Sequence, residues 1–177
     1  MDLIVAVSSD WGIGCQGQLM VTPPKDMAWF RSKTQEQILV YGRQTLSSFP
    51  QAKPLPKRRN LILSRTVAEI SGAEVVPQIA DLPKYLSRSD WQQTMVIGGG
   101  QIYRQLLPYC TQAWVTVFDV HQPFDTDFPN LEQAGAWQLS WQSEWEIDSK
   151  TNVRLQFRCY QNQLLRTYDD FCAEVKG

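Results

Sequence analysis

Several apolar runs of strand length, each closed by glycine or serine, constrain this chain more than any other feature. Leu3-Ile4-Val5-Ala6-Val7, Ile38-Leu39-Val40-Tyr41, Asn60-Leu61-Ile62-Leu63 and Thr94-Met95-Val96-Ile97 show almost no polar alternation. A strand of that kind must be covered on both faces, as in a parallel sheet between layers of helix. Glu74-Val75-Val76 reads as a further short strand and Ala113 to Asp119 as a sixth. The later part changes period. Trp137, Leu139, Trp141, Ser143, Trp145 and Ile147 take alternate positions, and so do Val153, Leu155, Phe157 and Cys159. Period-two patterning predicts strands with one buried face, the tryptophans in the core, and a turn near Asp148-Ser149-Lys150 makes them a hairpin. The fold class is α/β: a mostly parallel sheet with an antiparallel ending.

Composition narrows the function. At 177 residues and 43% hydrophobic content the chain fits one domain with a real core. A net charge of −1 provides no footprint for nucleic acid or an anionic membrane. The four cysteines, at 15, 110, 159 and 172, contain no Cys-x-x-Cys pair, which points to reduced thiols in a cytosolic protein and not to zinc or a disulfide framework. The opening apolar run, Leu3 to Val7, is too short for a signal peptide, and no stretch reaches membrane-spanning length. His121, the single histidine, excludes any site built on two and reads as a loop or strand-end residue.

Candidate chemistry clusters around glycine-rich breaks and one helix start. Pro23-Pro24 suits a first helical turn, with Thr22 as the expected N-cap. Asp26, Trp29, Phe30 and Lys33 then share a face, so Asp26 is a partly desolvated carboxylate at a helix N-terminus. Trp11-Gly12-Ile13-Gly14-Cys15-Gln16-Gly17 reads as a mobile loop, and its place between a buried strand and this helix suggests a lid. Gly42-Arg43-Gln44-Thr45 places a glycine and a helix start after a strand, an arrangement that offers N–H groups to phosphate. Pro50 to Asn60 carries Lys53, Lys57, Arg58 and Arg59 and can project a cation toward an anion, while Ser64-Arg65 ends a strand with a second set of phosphate-holding groups. Gly98-Gly99-Gly100 permits close ligand approach, and the helix after it aims its positive end at the gap. Asp81-Leu82-Pro83 predicts a helix capped by the aspartate. Leu164, Leu165, Tyr168, Phe171, Cys172 and Val175 predict a final amphipathic helix docked on its own domain.

Taken in order, Trp11-Gly12-Ile13-Gly14, Pro24-Lys25-Asp26 with Trp29-Phe30, Gly42 to Thr45, Pro54 to Asn60, Gly98 to Tyr103 and Asp125-Thr126-Asp127-Phe128-Pro129 resemble dihydrofolate reductase, over residues 2 to 160. The resemblance implies a mixed, mostly parallel, eight-stranded twisted sheet with an antiparallel C-terminal hairpin, flanked by helices on both faces. Residues 1–162 would form this domain and 163–177 a helical extension. It also implies hydride transfer from NADPH to dihydrofolate, giving tetrahydrofolate, in a cytoplasmic monomer that binds antifolates and needs no metal, nucleic acid or membrane.

By the same resemblance Asp26 would bind the 2-amino group and N3 of the pterin and promote protonation at N5 through a water. Thr116 matches the residue that hydrogen-bonds near this carboxylate. Ile4, Val5 and Ile97 would line the pterin end, with Met27, Phe30, Phe49, Leu55 and Tyr103 along the substrate cleft. Arg58 matches the clamp on the glutamate α-carboxylate. Gly98 and Gly99 match a cis Gly-Gly bond beside nicotinamide and pyrophosphate, and Ile97, Gly100, Gln101, Ile102 and Tyr103 belong to the same cofactor wall. Gly42, Arg43, Gln44 and Thr45 would meet the phosphates. Leu63, Ser64 and Arg65 would meet the adenosine end, where Ser64 and Arg65 on the 2′-phosphate argue for NADPH over NADH. Ala6, Ile13, Gly14, Leu19 and Thr126 complete the expected cofactor contacts.

Three positions depart from the family pattern: Val21 stands where a tryptophan is usual, Gln101 where a cation often contacts the cofactor, and Lys57 where a turn glycine is common. Two other readings compete, a related aminopyrimidinone reductase of riboflavin synthesis and a non-catalytic NADP(H)-binding protein. Asp26 and Arg58 argue against the first.

Overall fold

In the computed structural model, which describes residues 1–19 and 21–176, the central strand is β1 (Asp2–Ser8). It pairs in parallel with β7 (Thr94–Gly98) on one side and β8 (Gln112–Phe118) on the other. Beyond β7 the sheet continues in parallel through β4 (Ile38–Gly42), β5 (Arg59–Leu63) and β6 (Glu74–Val76). Beyond β8 it turns antiparallel through β12 (Arg154–Asn162) to β10 (Trp137–Gln142). Those eight strands form one continuous path, as the resemblance implied, and a short β11 (Glu146–Ile147) pairs with the start of β12.

The pleat explains the continuous apolar runs. Leu3, Val5 and Val7 enter one core with Val40, Leu61, Val96 and Val115, while Ile4, Leu39, Tyr41, Ile62, Met95 and Ile97 enter a second. Both faces of these strands are therefore covered, and a polar residue among them, such as Asn60, is buried with a hydrogen-bond partner, the Tyr41 hydroxyl at 2.9 Å. Side chains of α3 (Leu82–Tyr85), α4 (Arg88–Gln92), α5 (Gly100–Leu106) and α6 (Tyr168–Glu174) join the first core. Those of α1 (Pro24–Thr34) and α2 (Arg43–Ser47) join the second.

The hairpin departs from its expected pattern. Trp137 is buried, but Leu139 and Trp141 are 40% and 47% exposed and Ile147 59%. Register shifts between Leu139 and Trp141, so a bulge at this edge strand breaks the alternation, and Trp141 stacks on Trp29 instead of entering the core. In β12, flanked on both sides, Leu155, Phe157 and Cys159 are buried as the period requires.

Cap positions differ too. The N-cap of α1 is Pro23, and exposed Thr22 does not cap it. Asp81 precedes α3 without capping it; its carboxylate accepts from Lys84. The last helix begins at Tyr168, capped by Thr167 with Asp170, and leaves Leu164 and Leu165 exposed. Phe171 docks it on its own domain, with the Trp91 and Tyr109 rings each 5.0 Å away.

Candidate active site

The carboxyl ends of the parallel strands, where ligands of open α/β sheets bind, border a cavity of about 800 Å³. Its floor is Ile4, Val5 and Ala6 of β1, and Ile97 with Gly98 of β7. One wall is α1, through Asp26, Met27, Phe30, Arg31 and Gln35. The segment from Gln44 to Pro50 adds Thr45, Ser48 and Phe49, and Leu55 to Arg58 form the rim.

The stretch read as a mobile loop is ordered into short strands. β2 (Gly12–Cys15) pairs antiparallel with β3 (Gln18–Leu19) and with β9 (Thr126–Asp127), and Ile13, Gly14, Leu19 and Thr126 thereby cover the cavity. The Asp125 carboxylate accepts from the Gln16 N–H at 2.6 Å, and His121 Nδ1 lies 2.7 Å from Asp10. Glycine is required inside this cover, because a Cβ on Gly14 would sit 2.8 Å from the Gln18 carbonyl oxygen of the paired strand.

The four-residue face predicted for α1 splits in two. Asp26 and Phe30 form one i, i+4 ridge and face the cavity. Trp29 and Lys33 form the other, with Trp29 4.7 Å from the Phe157 ring and Lys33 Nζ 3.3 Å above Trp114. Asp26 is 6% exposed, and burial raises its pKa to about 6. The neighbouring Thr116 hydroxyl pulls the other way, although it makes no fully formed hydrogen bond with a protein group. Tyr103 donates to the Ile4 carbonyl at 2.6 Å, and burial drives its own pKa strongly upward.

Arg58 is held before any ligand arrives. Its Nε donates to the Thr34 carbonyl at 3.1 Å and to Thr34 Oγ1 at 3.2 Å, and Nη1 donates to the Pro56 carbonyl at 2.9 Å. Burial, and then the Arg31 guanidinium, lower its pKa. Among the described residues no carboxylate lies within ion-pair distance of Arg58, so its remaining donors are available to an anion at the cavity mouth.

At the other end, the Gly98–Gly99 peptide bond is cis and Gly98 has φ +121°. A Cβ on Gly98 would come 3.3 Å from Thr45 Oγ1, and one on Gly100 would come 2.9 Å from Thr126 Cγ2. Gly42, Arg43, Leu63, Ser64, Arg65, Gln101, Ile102 and Thr116 are not on the cavity wall. Strand register still places several of them in one neighbourhood. Gly42 is level with Leu63 and Tyr41 with Gly98, while the Ile102 side chain packs 3.4 Å from where a Gly42 Cβ would stand. Ser64 Oγ accepts from the Thr66 and Val67 N–H groups, which leaves its hydroxyl hydrogen free to donate.

The cavity also holds residues that sequence reading missed, among them Arg31, Gln35 and Ser48, and Lys57 of the cationic run lies on its rim. Helical spacing could have found two, since Met27, Arg31 and Gln35 recur at i, i+4 and i+8. Val21 packs in a satellite cluster with Phe118, Leu155 and Phe157; its neighbour Met20 lies outside the described residues.

Known proteins resemble this chain in sequence. The dihydrofolate reductase family model matches residues 1–162. A dihydrofolate reductase of Mycobacterium tuberculosis is 42% identical over 148 residues, covering 78% of this chain and 88% of that one. One from Haemophilus influenzae is 34% identical over 146 residues, covering 82% and 83%. The type 3 dihydrofolate reductase of Salmonella typhimurium is 32% identical over 158 residues, covering 89% and 94%. With these matches running through both the buried carboxylate and the glycine cradle, the chain belongs to the dihydrofolate reductase family.

Proposed function

We propose that the protein reduces 7,8-dihydrofolate to 5,6,7,8-tetrahydrofolate with NADPH, and that Asp26 controls the proton. The observation that carries this reading is a carboxyl only 6% exposed, with a pKa of about 6, on the wall of a cavity that ends in a bare glycine cradle. The residues present fit the cofactor. Gly98, Gly99 and Gly100 line the cavity with bare backbone, and Arg43 and Arg65, which follow β4 and β5, have no ion-pair partners among the described residues. Gly42 to Thr45 would hold the phosphates, Leu63 to Arg65 the adenosine end, and Ile97 to Tyr103 with Ala6, Ile13, Gly14, Leu19 and Thr126 the remainder. NADPH, when bound, supplies the hydride that reaches C6 of the pterin.

The chain supplies orientation, exclusion of water and a proton. Asp26 binds the 2-amino group and N3 of the pterin, and its raised pKa lets it hold a proton close to neutral pH and favour protonation at N5 through a water. Ile4, Val5 and Ile97 pack the pterin end, and Met27, Phe30, Phe49 and Leu55 enclose the rest of the substrate. Arg58 receives the glutamate α-carboxylate as a pre-oriented fork, and the β2–β3 hairpin shuts out water. Residues 1–162 form the reductase domain and 163–177, of which Gly177 lies outside the described residues, a helical extension. Among the described residues no helix is long and apolar enough to cross a membrane. The near-neutral charge and unpaired cysteines support a cytoplasmic monomer with no nucleic-acid partner.

NADPH oxidation with dihydrofolate across pH, for the native protein beside Asp26→Asn, tests the reading. Native turnover should fall as pH rises through the Asp26 pKa. The variant should lose about 10²-fold or more near neutrality, the usual scale of a positioned acid. A native protein that binds NADPH and leaves dihydrofolate untouched would overturn it.

A further inference from the structure

Asp148 lies in the turn between β11 and β12 and is 2% exposed. Its Oδ1 accepts from the Lys150 N–H, the Thr151 N–H and the Thr151 hydroxyl, each at 3.0 Å. Its Oδ2 reaches 123 residues back along the chain and accepts from the Lys25 N–H at 3.0 Å. That bond fills a gap in α1. A helix begins with N–H groups that have no partner inside it. Here two of those positions are prolines, Thr22 makes no cap, and the Lys25 N–H is the first donor needing an acceptor. A carboxylate from another part of the fold provides it, on the residue next to Asp26.

We infer that Asp148 is a positioning residue for the reaction: it caps α1 from the β11–β12 turn and holds Asp26 at the cavity wall. This rests on the assignment of Asp26 as the proton-controlling group. The charged and titratable groups around this turn are Lys25, paired with Glu146, then Arg31 on the cavity rim and Tyr103 facing Asp26 from α5. Each has its own anchor or lies outside the first turn, so beside the first intrahelical bond, Met27 N–H to the Pro23 carbonyl, the Asp148 bond holds the backbone there. Losing it frees the turn and admits water to Asp26, whose carboxyl then titrates at lower pH.

Two cuts from opposite sides test the bond. Asp148→Asn weakens the acceptor. Lys25→Pro removes the donor without breaking a hydrogen bond inside the helix, since the Lys25 N–H has no intrahelical partner. Thr167→Ala, which removes the α6 cap, is a control that costs stability far from the site. Each variant is measured for kcat and KM across pH, for NADPH affinity and for melting temperature. Both cuts should lower kcat about tenfold near neutrality, the scale of a small misplacement of a catalytic group. They should also shift the pH limb of activity to lower pH and leave NADPH affinity unchanged, while Thr167→Ala keeps the native pH profile. If both cuts lower the melting temperature as the control does while kcat and its pH limb stay native, Asp148 is only a structural turn residue. If one cut does not fold, the other decides by the same criteria. A native enzyme inactive on dihydrofolate would defeat the functional reading instead.

Discussion

Asp26 and Asp148 meet at the same helical turn, one as its third residue and the other as a visitor from the β11–β12 turn, and both are nearly inaccessible to water. Their acidities nonetheless move in opposite directions. Burial raises Asp26 to about 6, because only the Thr116 hydroxyl opposes it. Burial also pushes Asp148 upward, yet three N–H groups and a hydroxyl hold it below the ordinary carboxylate range. Burial therefore does not set the protonation of a carboxylate. The number of donors that accompany it into the interior does.

The difference has opposite consequences for stability. Asp26 binds its proton more tightly folded than unfolded, so its contribution is full below its ordinary value of 3.8 and is lost as pH rises through about 6. The lowered pKa of Asp148 reverses the sign. Its contribution is present above the ordinary carboxylate range and is lost as pH falls through its folded value.

Three measurements sharpen the contrast, beginning with the largest effect. Asp26→Asn removes a charge that the fold buries at a cost, so denaturant unfolding at pH 7 should show a gain on the order of 2–3 kcal/mol alongside the lost activity. A variant no more stable than native would mean that burial of the charge costs little. Next in size, Thr116→Val takes away the one group opposing burial, so the pH limb of turnover should move to higher pH. A limb that does not move would show that the hydroxyl contributes nothing at Asp26. The smallest effect belongs to Lys25→Ala, which removes the exposed Lys25–Glu146 ion pair but keeps the backbone bond to Asp148. Its stability should stay within about 0.5 kcal/mol of native with an unchanged pH profile. A larger loss would transfer the anchoring role from the backbone to the side chain.

Much of this site can be read along the chain because the signals are local. Pro23-Pro24 starts a helix, Asp26 falls in its first turn, and the apolar runs assign the strands whose ends border the cavity. Gly98 to Gly100 mark a break after β7 where a Cβ on Gly98 or Gly100 would press on Thr45, Tyr103 or Thr126. Legibility declines where an edge or a long-range partner intervenes. Trp141 follows the same alternation as Trp137 yet is exposed, since β10 is an edge strand with a bulge that its period does not announce. Trp29 shares a predicted face with Asp26 yet belongs to the Phe157 cluster, because the helix rests on the sheet with one ridge to each side.

By itself the sequence determined the layers of the fold, the two-sided burial of β1, β4, β5 and β7, and the identity of the carboxylate at the head of α1. All of these follow from periodicity and residue type over a few turns of chain. Only the tertiary structure decided that Arg58 is pre-oriented by Thr34, that the glycine-rich hairpin pairs with β9, and that Asp148 caps α1. Those contacts join residues between 24 and 123 positions apart, and no local pattern records which donors will meet which acceptors when the sheet closes. A buried aspartate can be anticipated from its neighbours in the chain. Whether it keeps its proton depends on neighbours that only folding supplies.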